Sequence, residues 1–226
     1  MQEVQDYWLN KYREKGAFWL HDGNPKRPHT LLTSGKHSNG FFDSELVMED
    51  TLLLGEACFN LVELLVKQGL ELESVDRVVG PAMGAITFAH EISRNIGCER
   101  GYTCLRAYTE KLEVNHTGQI IMVFKRTAIR PLERILPCED VLTTGDSVGL
   151  MTMTIASSGG VILPFVVTLV NRSGLKEVGG KKIVALIDYP MPMWTPPIEE
   201  CPLCKQGSEA IHPKEVKNWA RLNASY

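Results

Sequence analysis

Residues 135–148 read ILPCEDVLTTGDSV, an apolar run that ends in two adjacent carboxylates and then passes through a short hydroxyl-rich turn. Small residues at the start of a helix aim free backbone N–H groups and the positive end of the helix dipole at one spot, which suits a phosphate monoester. Thr143, Thr144, Gly145, Asp146 and Ser147 are the candidates for such a cradle. Glu139 and Asp140, at the carboxyl end of the expected strand, can accept hydrogen bonds from neighbouring hydroxyls such as the 2′ and 3′ hydroxyls of a ribose. A phosphate cradle beside a diol acceptor suits a ribose 5-phosphate. The string also fits an ordinary strand, turn and capped helix with exposed acids, because Ser, Thr and Asp favour helix starts.

Elements able to present that turn are legible on both sides of it. Apolar runs at 75–80, 101–108, 133–140 and 161–171, with helical spacing at 84–96 and 147–158, form the pattern of a parallel sheet with helical crossovers. Upstream, apolar spacing predicts a helix over 4–15 ended by Gly16 and a long helix over 48–67 stopped near Gly69. Between them, a stretch broken by proline and glycine and two extended pieces around SGKHSNG, residues 34–40, predict a small β-rich appendage. The polar segment KLEVNHTGQ, residues 111–119, has no helical period and is expected to be a mobile loop over the strand ends. A proline-rich tail follows, with a short helix expected at 214–222. The expected fold class is α/β in one domain, with an N-terminal helix and hood at 1–47, a core at 48–189 and a tail at 190–226.

The 226 residues carry 24 basic and 27 acidic side chains, a net charge of -3, so nothing global favours nucleic acid or an anionic membrane as partner. Any anion site must be local. No window reaches the roughly 20 apolar residues of a membrane span, and MQEVQDYWLNKYREKG lacks the apolar centre of a secretory signal, so a cytoplasmic protein is expected. The cysteines at 58, 98, 104, 138, 201 and 204 are too sparse for a disulfide framework. Cys201 and Cys204 form a Cys-x-x-Cys with His212 nearby. One such pair is half a zinc site, so a reduced pair in a packed tail is expected and no metal ligand is assigned. Catalytic triads and HExxH spacings are absent from the sequence.

The string at 135–148 resembles the motif with which type I phosphoribosyltransferases bind 5-phosphoribosyl 1-diphosphate (PRPP), an apolar run leading into an acidic pair and a Thr-Thr-Gly turn. The resemblance implies that family's fold, a central parallel sheet flanked by helices with a small β-rich hood. Over nearly its full length the chain is similar to orotate phosphoribosyltransferases, starting with LLTSGKHSNGFFDSEL at 31–46, where Lys36, Phe41 and Phe42 match positions that meet the base and the diphosphate. The stretch VVGPAMGAITFAHEISR, 78–94, resembles the family's diphosphate loop, which falls on Gly80, Pro81, Ala82, Met83 and Gly84. Arg172 matches the arginine that meets the orotate carboxylate, with Thr143 also near the base. A fork-shaped cation suits a planar carboxylate through two parallel hydrogen bonds.

In the polar loop, Lys111 and His116 fall on basic family positions, while Glu110 and Val114 stand where an arginine and a catalytic lysine occur; Lys125 and Arg126 lie just beyond. The resemblance implies transfer of a phosphoribosyl group from PRPP to orotate with magnesium, in a homodimer. It places Lys111, His116 and Asp140 in catalysis and Lys36, Glu139, Asp140 and the 143–147 turn on PRPP. A transferase for a purine or another base, and a PRPP-binding regulator without turnover, are the alternatives that these residues leave open.

Overall fold

The computed structural model describes residues 2–114, 118–195 and 200–226. The chain opens with helix α1 (Gln2–Glu14), which buries Trp8, Leu9 and Tyr12 and ends ahead of Gly16, a residue with φ of +63°. Strands β1 (Phe18–Leu20), β2 (His29–Leu31), β3 (His37–Ser38) and β4 (Gly40–Phe42) follow, so the expected loop at 34–40 contains a strand of its own. The helix expected over 48–67 is α3 (Thr51–Lys67), and a separate short helix, α2 (Glu45–Met48), precedes it. Asp50 separates them, because its side chain accepts from the Leu53 N–H and caps α3.

The core runs from β5 (Arg77–Pro81) through α4 (Ala85–Arg100), β6 (Leu105–Glu113), β7 (Ile120–Val123), β8 (Arg134–Leu142) and α5 (Asp146–Ser157) to β9 (Val161–Ile162) and β10 (Phe165–Asn171). Strands β11 (Glu177–Val178) and β12 (Lys181–Asp188) complete it. The sheet order is β11-β12-β10-β8-β5-β6-β7, with β9 beside β8. Its five central strands are parallel and its edges β7 and β11 antiparallel. The sequence reading stops at four core strands; the fifth, β12, comes from the run KKIVALID and pairs with β10.

Alternation along each strand divides the core. Val78, Leu136, Cys138 and Val167 pack against α3 and α4, while Val79, Ile135 and Val166 pack against α5 through Val148, Met151 and Ile155. The chain winds outward from β5 to β6 on one side and from β8 to β10 and β12 on the other. The carboxyl ends of β5 and β8 therefore flank a topological switch point, where open α/β sheets leave a crevice.

The segment 111–119, expected as a loop, begins as strand. Strand β6 continues through Glu113 and pairs antiparallel with β7, Lys111 opposite Met122. His116 lies outside the described residues.

The tail does not stand apart. Strand β13 (Met193–Trp194), helix α6 (Pro202–Lys205), strand β14 (Ala210–Ile211) and helix α7 (Asn218–Asn223) return to the N-terminal strands. The resulting hood sheet has the order β13-β3-β2-β14 and draws on both ends of the chain. No helix of the described residues is long and apolar enough to cross a membrane.

Gly80 shows how tightly β5 meets α4. A Cβ there would lie 2.7 Å from the Ala85 Cβ and 2.9 Å from the Cys138 Sγ, two neighbours with no flexible end to yield. Gly80→Ala should cost about 1–3 kcal/mol through overpacking. Thermal unfolding should then show Tm lowered by about 2–4 °C for each kcal/mol lost.

Candidate active site

A cleft of about 560 Å3 opens over the carboxyl ends of the core strands, a size suited to a small-molecule ligand. A second cavity, of about 280 Å3, lies beside α1 and the β12 edge. It gathers no converging ionisable groups among the described residues beyond the partly exposed Lys176–Asp188 pair.

The floor of the larger cleft is the end of β8 and the turn into α5. Glu139 and Asp140 are adjacent on β8, so their side chains leave the strand on opposite faces. Asp140 goes toward α4: both carboxylate oxygens lie 2.9 Å from where a Cβ on Gly84 would stand. The Gly84 position is thus a glycine for close approach. Pro81, Ala82, Met83 and Gly84 line the cleft, whereas Gly80 sits within β5 and serves the packing beneath it. The tight turn expected from Gly80 onward accordingly begins after Pro81.

Glu139 is buried, and its carboxyl is pushed well above the usual range, first by burial and then by the neighbouring Asp140 charge. Lys111 pulls the other way. Its side chain belongs to the same face of the sheet as Ala107, and it lines the cleft from the β6 side.

Thr143, Thr144, Gly145, Asp146 and Ser147 all line the cleft, at the amino end of a 12-residue helix. Gly145 has φ of +85°, and a Cβ on it would meet Val178 at 2.9 Å, so glycine alone suits both the backbone and the space. The Thr144 hydroxyl donates to the Asp146 carboxylate at 2.7 Å, which ties that negative charge within the turn.

Arg172, just past β10, is 1% exposed. Its Nη1 donates to the Gly40 carbonyl at 3.1 Å and its Nη2 to the Ser38 hydroxyl at 2.6 Å, while Nε has no partner. Burial pulls its pKa down to about 10. No carboxylate pairs with this guanidinium among the described residues, so a buried cation borders the cleft without a countercharge.

The two aromatics differ. Phe42 is 2% exposed and packs with Tyr12, Phe18 and Tyr189, so most of its ring belongs to the core. Phe41 is half-buried, meets Trp219 edge-on and lines the cleft. Lys36 does not line the cleft; its carbonyl closes a tight turn by accepting from Leu32 N at 2.8 Å, and Thr33 and Ser34 line the cleft in its place. Lys125 and Arg126 lie 3.5 and 4.0 Å from the Glu110 carboxylate, which they face on the β6–β7 hairpin.

The C-terminal tail adds lining residues that the sequence did not assign to the site. His212, Pro213 and Lys214 follow β14 and reach the cleft because β14 pairs with β2. Lys214 makes an ion pair with Asp43 at 3.2 Å. His212, noted in the sequence as a neighbour of Cys201 and Cys204, thus belongs to the cleft. The two cysteines instead face His29 and His37, so the pair expected to stand alone is half of a four-residue cluster.

Sequence comparison accords with this geometry. The model of the phosphoribosyl transferase domain matches residues 50–194, from α3 through β13, a span that carries both turns and Arg172. The chain thus carries a phosphoribosyltransferase domain with that class's fold. Orotate phosphoribosyltransferase of Heliobacterium modesticaldum is 35% identical over 210 residues, covering 92% of this chain and 97% of its own. That of Campylobacter fetus subsp. fetus is 31% identical over 215 residues, covering 89% and 95%. The chain belongs to the orotate phosphoribosyltransferase family. In fold it also resembles the crystal structure of the Aeropyrum pernix orotate phosphoribosyltransferase, with a TM-score of 0.57 at 21% identity over 79% of this chain and 91% of that one.

The raised Glu139 pKa has a consequence for stability. An unfolded glutamate titrates near about 4.3, so above that pH folding must either bury a charge or hold a proton. The cost is absent below the unfolded pKa and grows as pH rises toward the folded value. Glu139→Gln should therefore raise Tm at neutral pH, by about 2–4 °C per kcal/mol relieved, with the gain vanishing toward pH 4. Thermal melts of both proteins across pH 4–8 check this.

Proposed function

We propose that the cleft binds PRPP as its magnesium complex together with orotate and transfers the 5-phosphoribosyl group, giving orotidine 5′-phosphate and diphosphate. The observation that carries this reading is the buried Arg172, a cation at the cleft wall without a countercharge among the described residues, in a cleft it shares with an acid pair and a helix-start cradle. An anionic base with a planar carboxylate supplies the missing charge.

In this reading the turn Thr143–Ser147 holds the 5′-phosphate through backbone N–H groups and hydroxyls. Glu139 and Asp140 accept from the ribose hydroxyls. Pro81 to Gly84 flank the diphosphate, with Lys111 facing it and His116 and Lys36 completing the positive field. Arg172 orients the base, with Thr143 and Phe41 beside it and Phe42 behind. Glu139, Asp140 and Asp146 put oxygen donors in the cleft that suit a hard ion such as magnesium, which would enter with the diphosphate sugar and be held little by the protein. The ion would supply neutralisation of charge on the leaving diphosphate.

The C1′–O bond breaks with its electron pair departing on the diphosphate. A base nitrogen supplies the pair for the new C1′–N bond and gives up its proton. Positive charge develops on the ribose ring as the bond breaks, so positioning and the field at the departing oxygens lower the barrier. Lys111 acts on that field. The family resemblance also supports a homodimer, and the composition a cytoplasmic protein.

An orotate-consumption assay with PRPP and magnesium, followed by ultraviolet absorbance, tests the reading. Wild-type protein should turn over, and Asp140→Asn should lose most of that turnover. Wild-type protein that binds PRPP by calorimetry yet leaves orotate and a panel of other bases unchanged would instead be a regulator.

Two variants probe the roles separately. Arg172→Lys keeps the charge and loses the fork, so KM for orotate should rise about 10- to 150-fold, the worth of about 1.5–3 kcal/mol for a charged hydrogen bond, with PRPP affinity little changed. Lys111→Ala should lower kcat by about 10-fold or more while the PRPP Kd moves by less than about 3-fold, because its field acts on charge that develops only during the reaction.

A further inference from the structure

Four ligand-forming side chains converge in the hood, and none of them lines the cleft. His29 opens β2 and His37 opens β3, neighbouring antiparallel strands. Cys201 caps α6 and Cys204 lies within it. One donor atom from each lies within 4.8 Å of every other. His29 Nε2 is 3.6 Å from Cys201 Sγ, 3.5 Å from Cys204 Sγ and 3.1 Å from His37 Nδ1, and His37 Nδ1 is 3.2 Å from Cys204 Sγ. A tetrahedral ion with bonds of about 2.0–2.1 Å to nitrogen and 2.3 Å to sulfur separates its ligand atoms by about 3.3–3.8 Å.

Hydrogen bonding among the four does not account for this arrangement. The Ser208 hydroxyl has one proton, which it donates to the Arg27 carbonyl at 2.6 Å. Toward His29 Nδ1, 2.8 Å away, it must accept, so the neutral ring carries its proton on Nδ1. His29 Nε2 then presents a single lone pair to three neighbours that all crowd it. A cation accepts lone pairs from all four donors at once, and a serine fixing the far nitrogen is the support that a ligating histidine takes.

We propose that His29 Nε2, His37 Nδ1 and the thiolates of Cys201 and Cys204 bind a structural zinc ion that fastens the C-terminal tail to the hood. Two sulfurs and two imidazoles in a closed, largely buried tetrahedron favour zinc over harder cations. Binding releases the two thiol protons. The hood has reason to need such a clamp: its strands are two or three residues long, and its own apolar cluster is Trp19, Ile211 and Leu222 with Trp219 against it. A sheet that small is marginal without a further link. The clamp also sets the path of the chain into β14 and hence the place of His212 and Lys214 at the cleft.

The test uses the full chain, purified under reducing conditions and loaded with zinc or with cobalt(II). Mass spectrometry of the metal should find one zinc per chain. The cobalt form should show thiolate-to-metal charge transfer in the near ultraviolet and the visible bands of a tetrahedral ion, with the charge transfer halved in Cys204→Ser. In wild-type protein, chelation should expose two additional thiols to a thiol reagent, a readout that stands even where the variant misfolds. Reduced wild-type protein that retains no zinc, thiols equally reactive with and without the metal, or an unchanged cobalt spectrum in Cys204→Ser would overturn the proposal.

Discussion

The Asp140 carboxylate can lie where it does because residue 84 has no side chain. Its oxygens stand 2.9 Å from the place a Cβ would occupy, so the acid at the end of β8 touches the first turn of α4 after β5. That contact joins two loops at the point where the sheet reverses its winding, and the geometry below it is arranged to permit it. Gly80 lets α4 settle on β5, with Cys138 of β8 packed against the same spot. Gly145, in a left-handed conformation, brings the start of α5 to the opposite side. Three glycines thus set the spacing between the diphosphate turn, the acids and the phosphate cradle.

Burial sets the electrostatics of this site. Glu139 and Arg172 are both removed from water, neither forms an ion pair among the described residues, and each is pushed toward its neutral form. Groups held at such a cost to folding are a mark of a site whose ligand completes the pairing. Ribose hydroxyls and a planar carboxylate are complements of these two groups, and they belong to the two substrates of the proposed reaction. The surface pairs, such as Lys176 with Asp188, carry no comparable constraint, since water already screens them.

The hood follows a different logic. It has little apolar area of its own and is stitched from segments at both ends of the chain, β2 and β3 with β13 and β14. Arg172 fastens it to the core through Ser38 and Gly40, so the residue that orients the proposed base also ties the lid to the floor. A metal clamp at His29, His37, Cys201 and Cys204 would secure the far side. Core packing and hood fastening therefore divide the work: one sets the spacing of the two turns and the acids, the other the opposite wall of the cleft.

Much of this was legible in order. The acid pair, the hydroxyl turn and the glycine turn are contiguous strings whose chemistry depends on neighbours in sequence, and the periodicity of residues 75–171 marked the strands and helices that carry them. The errors were local as well. The polar start of the 111–119 run reads as a loop because the last residues of β6, 111–113, are exposed and lack an alternating pattern, and β12 lies beyond the glycine pair at 179–180, which interrupts the apolar pattern ahead of it. The Lys36 backbone closes a turn that sets Thr33 and Ser34 along the cleft, a placement its position in the sequence does not reveal. The sequence by itself determined the fold class and placed the hydroxyl turn and the acid pair between a strand and a helix, because strand and helix periods and turn chemistry are short-range properties. Tertiary structure alone decided that Glu139 is buried, that Arg172 lacks a countercharge, that His212 and Lys214 reach the cleft, and that two histidines meet two cysteines. The last two depend on contacts between distant parts of the chain, such as the pairing of His29 with Ala210, and the first two on strands and loops brought together by the sheet; no local pattern records either.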